Sequence, residues 1–271
     1  MMHRTASCVL FLALLTGASS VGEGPVPTFP LVLPLPQELP VTGSFGEYRA
    51  GHFHAGLDFS TRGELGWPVR AAADGEIYRV KVVARGYGRA VYIRHADGFE
   101  TVYGHLHVFE DRVLALERFV GEQRARLQDR FPGDLYPDPP IPVKQGQVIA
   151  LSGEKGGGLP HLHLELRHQG APVDPMRYGG IQPGGFAAPV LQELLILPKG
   201  PCRVDGSWAP ATVKFRTVGG TARLTSVPRV EGSCDLLLKA QVPGAGKMAL
   251  SKLAVDCGEG RFLRMDLNRF S

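Results

Sequence analysis

No stretch of this sequence is apolar for long enough to form a membrane helix, which needs about 20 residues. The one candidate, Cys8 to Leu15, is short, follows the basic residue Arg4 and precedes the small residues Ala18-Ser19-Ser20. That order is typical of a cleavable secretory signal. We therefore expect residues 1–20 to be removed on export. We expect the mature chain, without a transmembrane segment, to work in the periplasm or cell envelope or to be secreted.

Cysteine is also scarce, with four in 271 residues. Apart from Cys8, which lies within the signal, the cysteines are Cys202, Cys234 and Cys257. An exported protein can keep a disulfide, so we expect one bridge and one free thiol, and the sequence leaves the three possible pairings open. Because none of them lies near the histidine motifs, we expect the bridge to be structural and the protein to use no cysteine nucleophile.

The chain lacks the features of a nucleic-acid binder. Its formal net charge of +4 and its isoelectric point of about 8.9 are mildly basic, but no basic stripe with interleaved aromatic residues occurs. A charge of this size favours an anionic envelope surface through an attraction that salt screens. We therefore expect no nucleic-acid partner.

What the sequence does contain is an ordered set of histidine motifs, beginning with the alternating segment Pro160 to Leu166. Alternation of polar and apolar residues predicts a β-strand, with His161, His163 and Glu165 on one face. Successive side chains on one face lie roughly 6.5–7 Å apart. One imidazole can therefore bind a metal while the other stays free beside it.

A second motif lies upstream, where His54 and Asp58 are four residues apart and Gly56 allows a close turn between them. A catalytic zinc site uses three protein ligands and leaves the fourth position to water. His54, Asp58 and His163 supply such a set. His52 is a rival of His54, because a strand would place both imidazoles on one face, and the spacing leaves that alternative open.

Together with the segment Tyr103-Gly104-His105-Leu106, these motifs resemble the lysostaphin-type, or LytM-type, zinc endopeptidases that cut peptide bonds in bacterial peptidoglycan. The order and spacing match that family's His-x-x-x-Asp, Tyr-x-His-Leu and His-x-His motifs. The resemblance implies a mainly β fold, with an antiparallel-sheet catalytic domain over residues 41–178. It implies one Zn²⁺ per chain, held by His54, Asp58 and His163.

The resemblance also implies that His105 and His161 are catalytic and flank the metal-bound water. Zinc lowers the pKa of its water toward ~7 and polarises the scissile carbonyl. The reaction still needs a base near neutrality and support for the tetrahedral intermediate, and histidine suits both tasks. The sequence leaves open which imidazole does which, and whether Glu165 orients an imidazole or is a solvated or ion-paired carboxylate.

The other histidines have less specific interpretations. We expect His95 in a hairpin turn, His107 at a solvated strand end and His168 on the polar face of a strand. None of these three positions requires a function.

Residues 108–142 are an insertion relative to the usual spacing of the family. The composition from Glu110 to Arg130 favours a helix, which Pro132-Gly133 ends. This helical insertion would either wall the substrate groove or merely pack on the sheet. A second departure is the loop before His161, where Lys155 would either meet a carboxylate of the substrate or remain an exposed lysine.

The regions outside the catalytic domain have a simpler reading. Residues 21–40 are rich in proline, which predicts an extended segment. After a linker at 179–189, residues 190–271 alternate like the strands of a small β-sandwich and contain no histidine. We expect this C-terminal domain to bind or orient, with other envelope proteins as possible partners.

The sequence therefore predicts an exported zinc metalloendopeptidase that acts on the stem peptides or cross-bridges of peptidoglycan. An alternative is a scaffold or activator of other wall hydrolases that cuts nothing itself. A third keeps the zinc chemistry and directs it at glycine-rich proteins.

Overall fold

The computed structural model describes residues 27–49, 51–112, 114–184, 190–218, 221–241, 252–257 and 260–266. The predicted signal at residues 1–20 lies outside these ranges. The chain divides into compact units, one containing Pro25–Phe186 and the other Ala187–Pro243. Neither described helix has the length and apolar character of a membrane-spanning helix.

The first unit is mainly β. Its strands are, in chain order, β1 (Val41–Gly43), β2 (Tyr48–Arg49), β3 (His52–Phe53), β4 (Leu57–Ser60), β5 (Pro68–Arg70), β6 (Gly75–Val82), β7 (Arg89–Arg94), β8 (Phe99–Gly104), β9 (Val108–Phe109), β10 (Gly133–Leu135), β11 (Ile141–Val143), β12 (Val148–Leu151), β13 (His161–His168) and β14 (Ala171–Val173). Its helices are α1 (Leu116–Leu127) and α2 (Pro175–Gly179), and a 3-10 turn covers Ala96–Gly98.

Nine of these strands form one antiparallel sheet within the described part of the chain. Their order is β1-β4-β13-β8-β7-β6-β10, with β11 also paired to β6 and β14 to β13. A smaller sheet has the order β5-β12-β9, and β2 pairs with β3. The predicted class, mainly β with a large antiparallel sheet, is confirmed.

The position of β13 in this sheet follows from its alternating sequence. Leu162, Leu164 and Leu166 are fully buried in the main apolar core, and burying each side chain contributes about 1.5–3 kcal/mol. The intervening His163 and Glu165 point to the opposite face, where they are buried as well. A polar cluster therefore lies beneath the surface on one side of the sheet.

The described part of the proline-rich segment contains no helix or strand, makes a turn at residues 36–39 and packs on this unit. The N–H groups of Phe29 and Leu31 donate to the carbonyls of Tyr178 and Gly179, both at 2.8 Å. Leu31, Leu35 and Leu39 are buried in the main core, and the partly buried Leu33 packs against it. The segment thus contributes to the core instead of standing free.

The insertion at residues 108–142 contains a helix, but α1 is shorter than the predicted span from Glu110 to Arg130. The Glu110 carboxylate accepts hydrogen bonds from the N–H groups of Arg112 and Leu114, at 2.8 and 2.7 Å. This local turn competes with the helix at its start. After α1 the insertion adds two strands, β10 and β11, to the edge strand β6, and these were not predicted.

The second unit is an antiparallel sheet of four strands within its described residues: β15 (Val190–Val204), β16 (Ala211–Val218), β17 (Thr221–Leu224) and β18 (Val230–Gln241), in the order β17-β16-β15-β18. Cys202 and Cys234 are buried in its small core. A separate hairpin joins β19 (Lys252–Cys257) to β20 (Gly260–Asp266). The side chain of Cys257 lies outside the described residues, so the disulfide pairing stays a prediction.

Candidate metal centre

Two neighbouring strands bring the three predicted metal ligands together. β13 pairs with β4 so that His163 lies opposite Asp58, and His54 lies on the loop that leads into β4. Nε2 of His54, Oδ1 of Asp58 and Nδ1 of His163 lie 2.9 to 3.1 Å from one another. All three side chains are buried, and within the described ranges they form the one group of side chains able to hold a metal ion.

The hydrogen bonds around the two imidazoles determine which nitrogens face this point. Nδ1 of His54 lies 2.8 Å from the carbonyl oxygen of Ser44, and Nε2 of His163 lies 2.9 Å from Oε1 of Glu165. Because both oxygens can only accept, these outer nitrogens carry hydrogen. The inner nitrogens, Nε2 of His54 and Nδ1 of His163, are therefore available as ligands.

This set of donor atoms fits a zinc ion. The two inner nitrogens and Oδ1 of Asp58 are three acceptors in mutual contact, and they repel one another unless a positive charge lies among them. Burial alone would lower the pKa of His163, but hydrogen bonds to Asp58 and Glu165 raise it to about 9, so the cluster favours a proton on this ring. A divalent cation would replace that proton. Two imidazoles and one carboxylate are ligands that catalytic zinc accepts.

Asp58 is held in an orientation that leaves one oxygen for the cluster. The guanidinium of Arg49 donates to Oδ2 of Asp58 and also contacts Glu47. Burial alone would raise the pKa of Asp58, but the close contacts of its carboxylate with the rings of His163 and His54 outweigh burial and hold that pKa well below its usual range. The carboxylate is therefore ionised, with Oδ1 directed at the imidazoles. Sequence reasoning missed Arg49, because nothing in its spacing distinguishes it from other surface arginines.

Glu165 is fully buried and supports the outer side of His163. Its Oε2 accepts from Nε of Arg167 at 2.7 Å, and its Oε1 also accepts a short hydrogen bond from the hydroxyl of Tyr87. Glu165 thus orients an imidazole and is ion-paired at once, which joins two interpretations that the sequence left open. Arg167, two residues further along the same strand face, could have been found from the alternation; Tyr87, in a distant turn, could not.

The two predicted catalytic histidines lie together beside this cluster. The ring centroids of His105 and His161 are 4.4 Å apart, and Nε2 of His161 lies 3.8 Å from Oδ1 of Asp58. Nδ1 of His105 lies 2.9 Å from the carbonyl of Lys155, and Nδ1 of His161 lies 2.6 Å from that of Leu159. Each Nδ1 therefore donates, which leaves each Nε2 free of hydrogen.

His105 is held in its neutral form. The pKa of His105 is lowered to about 4, mainly because the ring is buried and secondly because His161 lies close to it. Its backbone takes the left-handed conformation, with φ of 61°, which is costly for a residue other than glycine. His105 is therefore uncharged near neutral pH, and its Nε2 can accept a hydrogen bond.

The loop between β12 and β13, residues 152–160, supports His105 and is called the catalytic loop. Close packing of glycines fixes its position. A Cβ atom on Gly88 would lie 2.0 Å from the oxygen of Lys155, and one on Gly156 would lie 2.1 Å from the oxygen of Gly86. Only glycine permits this approach. The glycines of the loop therefore hold the Lys155 carbonyl in place for His105.

The remaining histidines do not join the cluster. His52, the rival ligand, is exposed on β3. His107 is half-buried instead of solvated, and its Nδ1 has no hydrogen-bond partner among the described residues. His95 is buried beside the turn, where its ring bonds to Asp74 and Thr101.

Residues 52–117 match the family model of peptidase family M23. The chain carries a peptidase family M23 domain. The matched stretch includes His54, Asp58 and His105, whereas His161 and His163 lie beyond it on β13.

Two proteins similar to this chain have names that state different activities. The DD-carboxypeptidase/endopeptidase Mpg of Neisseria meningitidis serogroup B is 37% identical over 124 residues, which are 45% of this chain and 22% of that protein. The murein hydrolase activator NlpD of Escherichia coli is 32% identical over 143 residues, which are 53% of this chain and 30% of that protein. The chain therefore spans less than a third of the length of either relative.

Among solved structures, the catalytic domain of the antimicrobial peptidase lysostaphin from Staphylococcus simulans is 24% identical to the chain. The similarity covers 53% of this chain and 93% of that one, with a TM-score of 0.39.

Proposed function

We propose that this chain is an exported zinc metalloendopeptidase that hydrolyses peptide bonds in bacterial peptidoglycan. The observation that carries the proposal is the contact of three acceptor atoms, from His54, Asp58 and His163, beside the free nitrogens of two further imidazoles. We assign catalysis to residues 41–178 and a binding or orienting role to residues 190–271. The M23 domain and the name of the relative Mpg support this choice of substrate.

His54, Asp58 and His163 would hold the zinc ion. When bound, zinc supplies an acidified water molecule and polarises the carbonyl of the scissile bond. The chain's own residues then have to keep the ligands in place and move protons. Ser44 and Glu165 fix the two ligand rings through their outer nitrogens, and Arg49 fixes the carboxylate.

His105 and His161 are the groups proposed to move protons. Each has an Nε2 without hydrogen, and each is fixed at Nδ1 by a backbone carbonyl. One Nε2 accepts the proton of the attacking water, and the resulting imidazolium can return it to the leaving amine. In its imidazolium form, the other ring donates its Nε2–H to the negative oxygen of the tetrahedral intermediate.

A second candidate function is activation of another wall hydrolase without cleavage by this chain. It is favoured by the name of the relative NlpD, a murein hydrolase activator. The presence here of all three ligands and both neighbouring imidazoles favours the enzyme.

Digestion of purified peptidoglycan separates these functions. We expect the wild-type protein loaded with zinc to release peptide fragments, identified by mass spectrometry, and His163→Ala to release none. Fragments that appear only when a second hydrolase is added, and equally with His163→Ala, would establish the activator instead. Cleavage of a glycine-rich protein without cleavage of peptidoglycan would redirect the zinc chemistry to proteins.

A further inference from the structure

A cavity of about 340 Å³ lies beside the catalytic loop, between the strand that follows the turn at Gly88 and the end of the helical insertion. Its walls include Arg89 from β7, Arg124 from α1, Arg130 and Phe131 from the segment after α1, and Lys155 from the catalytic loop. We call it the cationic cavity. Its volume is in the range of sites for small organic groups.

The charges around the cationic cavity are not balanced within the described residues. Four cationic residues line it, and the one ion pair among them joins Arg89 to Glu117. The excess of positive charge has an electrostatic effect on Arg124. The pKa of the Arg124 guanidinium is lowered, mainly because the group is partly buried and secondly because the positive charge of Arg89 lies close to it.

Two buried donors at the cationic cavity have no partner. Arg89 is only 9% exposed and stacks on the ring of Phe109, with its Cζ 4.2 Å from the ring centroid. The Nε atoms of Arg89 and Arg124 are both buried and both lack a hydrogen-bond acceptor among the described residues. A guanidinium removed from water without an acceptor is unfavourable. An anion with planar oxygens would satisfy such donors.

The cationic cavity also lies next to the loop that supports the proposed catalytic residue His105. Lys155 lines the cavity, and its carbonyl accepts the hydrogen bond from Nδ1 of His105. The close contact between Gly88 and Lys155 leaves this loop little room to shift. A group bound in the cavity is therefore held next to the wall that supports His105.

We propose that the cationic cavity is a subsite that binds a free carboxylate of the peptide substrate. This inference rests on the proposed function, since it assigns the cavity to the same substrate. The helical insertion then has a role in binding, because Arg124 and Arg130 both come from it. Arg89, already paired with Glu117, lends charge, while Arg124, which has no ion pair among the described residues, supplies hydrogen-bond donors from its guanidinium.

A binding measurement tests this without requiring cleavage. We would titrate a synthetic cross-linked stem peptide, with its carboxylates free, into protein carrying His161→Ala to prevent turnover. The second ligand is the same peptide with its carboxylates converted to carboxamides. Arg124→Gln is compared with Arg126→Gln, which removes the same charge from an exposed position of α1 that does not line the cavity.

We expect Arg124→Gln to weaken binding of the carboxylate peptide by about tenfold, as the loss of one charge-assisted hydrogen bond implies. Arg126→Gln should bind as the parent does, and the carboxamide peptide should bind weakly to all forms. Arg130→Gln, beyond the helix, provides a second variant if Arg124→Gln unfolds. Equal affinity for the two peptides, or equal loss in Arg124→Gln and Arg126→Gln, would overturn the subsite.

The same samples distinguish a failure of the subsite from a failure of the proposed function. Wild-type cleavage of both peptides with the same KM would reject the subsite and leave the peptidase intact. Carboxylate-dependent binding without any cleavage by zinc-loaded wild type would reject the peptidase and retain the subsite.

Discussion

His54 and His163 are 109 residues apart in the chain, yet Nε2 of one lies 2.9 Å from Nδ1 of the other. The pairing of β13 with β4 creates this contact. Each ring has its opposite nitrogen committed to an oxygen acceptor. The contact is therefore a site for a positive charge, and the expected zinc content depends on that property.

The first prediction concerns metal content. Wild-type protein should contain one zinc ion per chain, and His163→Ala and Asp58→Ala should each lose it, because two remaining ligands bind zinc poorly. Elemental analysis of the purified proteins by mass spectrometry gives the ratio. His52→Ala is the matched control, since His52 is exposed and outside the cluster; loss of zinc from that variant would revive the rival ligand set.

The second prediction separates ligands from proton carriers. His105→Ala and His161→Ala should keep their zinc but lose activity by about 10²–10⁴-fold, the contribution of general acid–base catalysis. Neither His105 nor His161 supplies one of the three proposed ligand atoms. Zinc content and kcat are measured on the same preparation. A variant that loses its metal together with its activity would move that histidine into the ligand set.

The third prediction concerns Arg49. Arg49→Met should weaken zinc affinity by about tenfold, the lower end of the effect of a residue that orients a ligand, because Oδ2 of Asp58 loses its donor. Competition with a chromogenic chelator measures the dissociation constant. Arg70→Met is the control, as this exposed arginine donates to the carbonyl of Gly146 instead. Equal affinities in the two variants would show that Asp58 needs no such support.

The fourth prediction tests the close packing of the catalytic loop. Gly88→Ala should lower activity while zinc stays bound, since the new Cβ would collide with the Lys155 carbonyl that supports His105. Gly86→Ala is a matched control, because Gly86 also has positive φ, 69° against 63°, but has no atom within 4 Å of its Cβ position. Activity per bound zinc compares the two. An equal loss in both would point to backbone strain alone.

How far the sequence could predict this molecule depends on the kind of contact. The alternation around Leu164 predicts β13, and the motifs identify the five polar side chains that the strands bring together. The carbonyls that orient three of the rings, those of Ser44, Lys155 and Leu159, are backbone groups. They carry no side-chain signature, so the pattern of residues does not reveal them.

The insertion shows the same limit at the level of elements. Composition predicts a helix, but the turn that the Glu110 carboxylate makes with Leu114 N–H decides where α1 begins. β10 and β11 contain three residues each, which is too few for alternation to be recognised. They form because β6 presents an edge to pair with.

The fifth prediction concerns pH and His95, which is remote from the zinc ligands in sequence and bonds to Asp74 and Thr101. Burial lowers the pKa of His95 below its ordinary value of 6.5, so the unfolded chain binds the proton more readily. This contribution to stability is complete above pH 6.5 and is lost as the pH falls through the lowered folded-state pKa.

Urea unfolding between pH 7.5 and pH 5 measures this loss. His95→Gln, which has no proton to take up in that range, should show a smaller decrease of the unfolding midpoint than wild type. The same slope in both proteins would assign the pH dependence to other groups.

The backbone carbonyls around the histidines have a consequence for how this centre can change over generations. Three of its four rings are aimed by main-chain oxygens, those of Ser44, Lys155 and Leu159. Substituting those three residues leaves the oxygens where they are. Insertions or deletions in the loop between β1 and β2, or in the loop between β12 and β13, would displace these oxygens. Loop length, more than loop composition, therefore determines whether the imidazoles stay aligned.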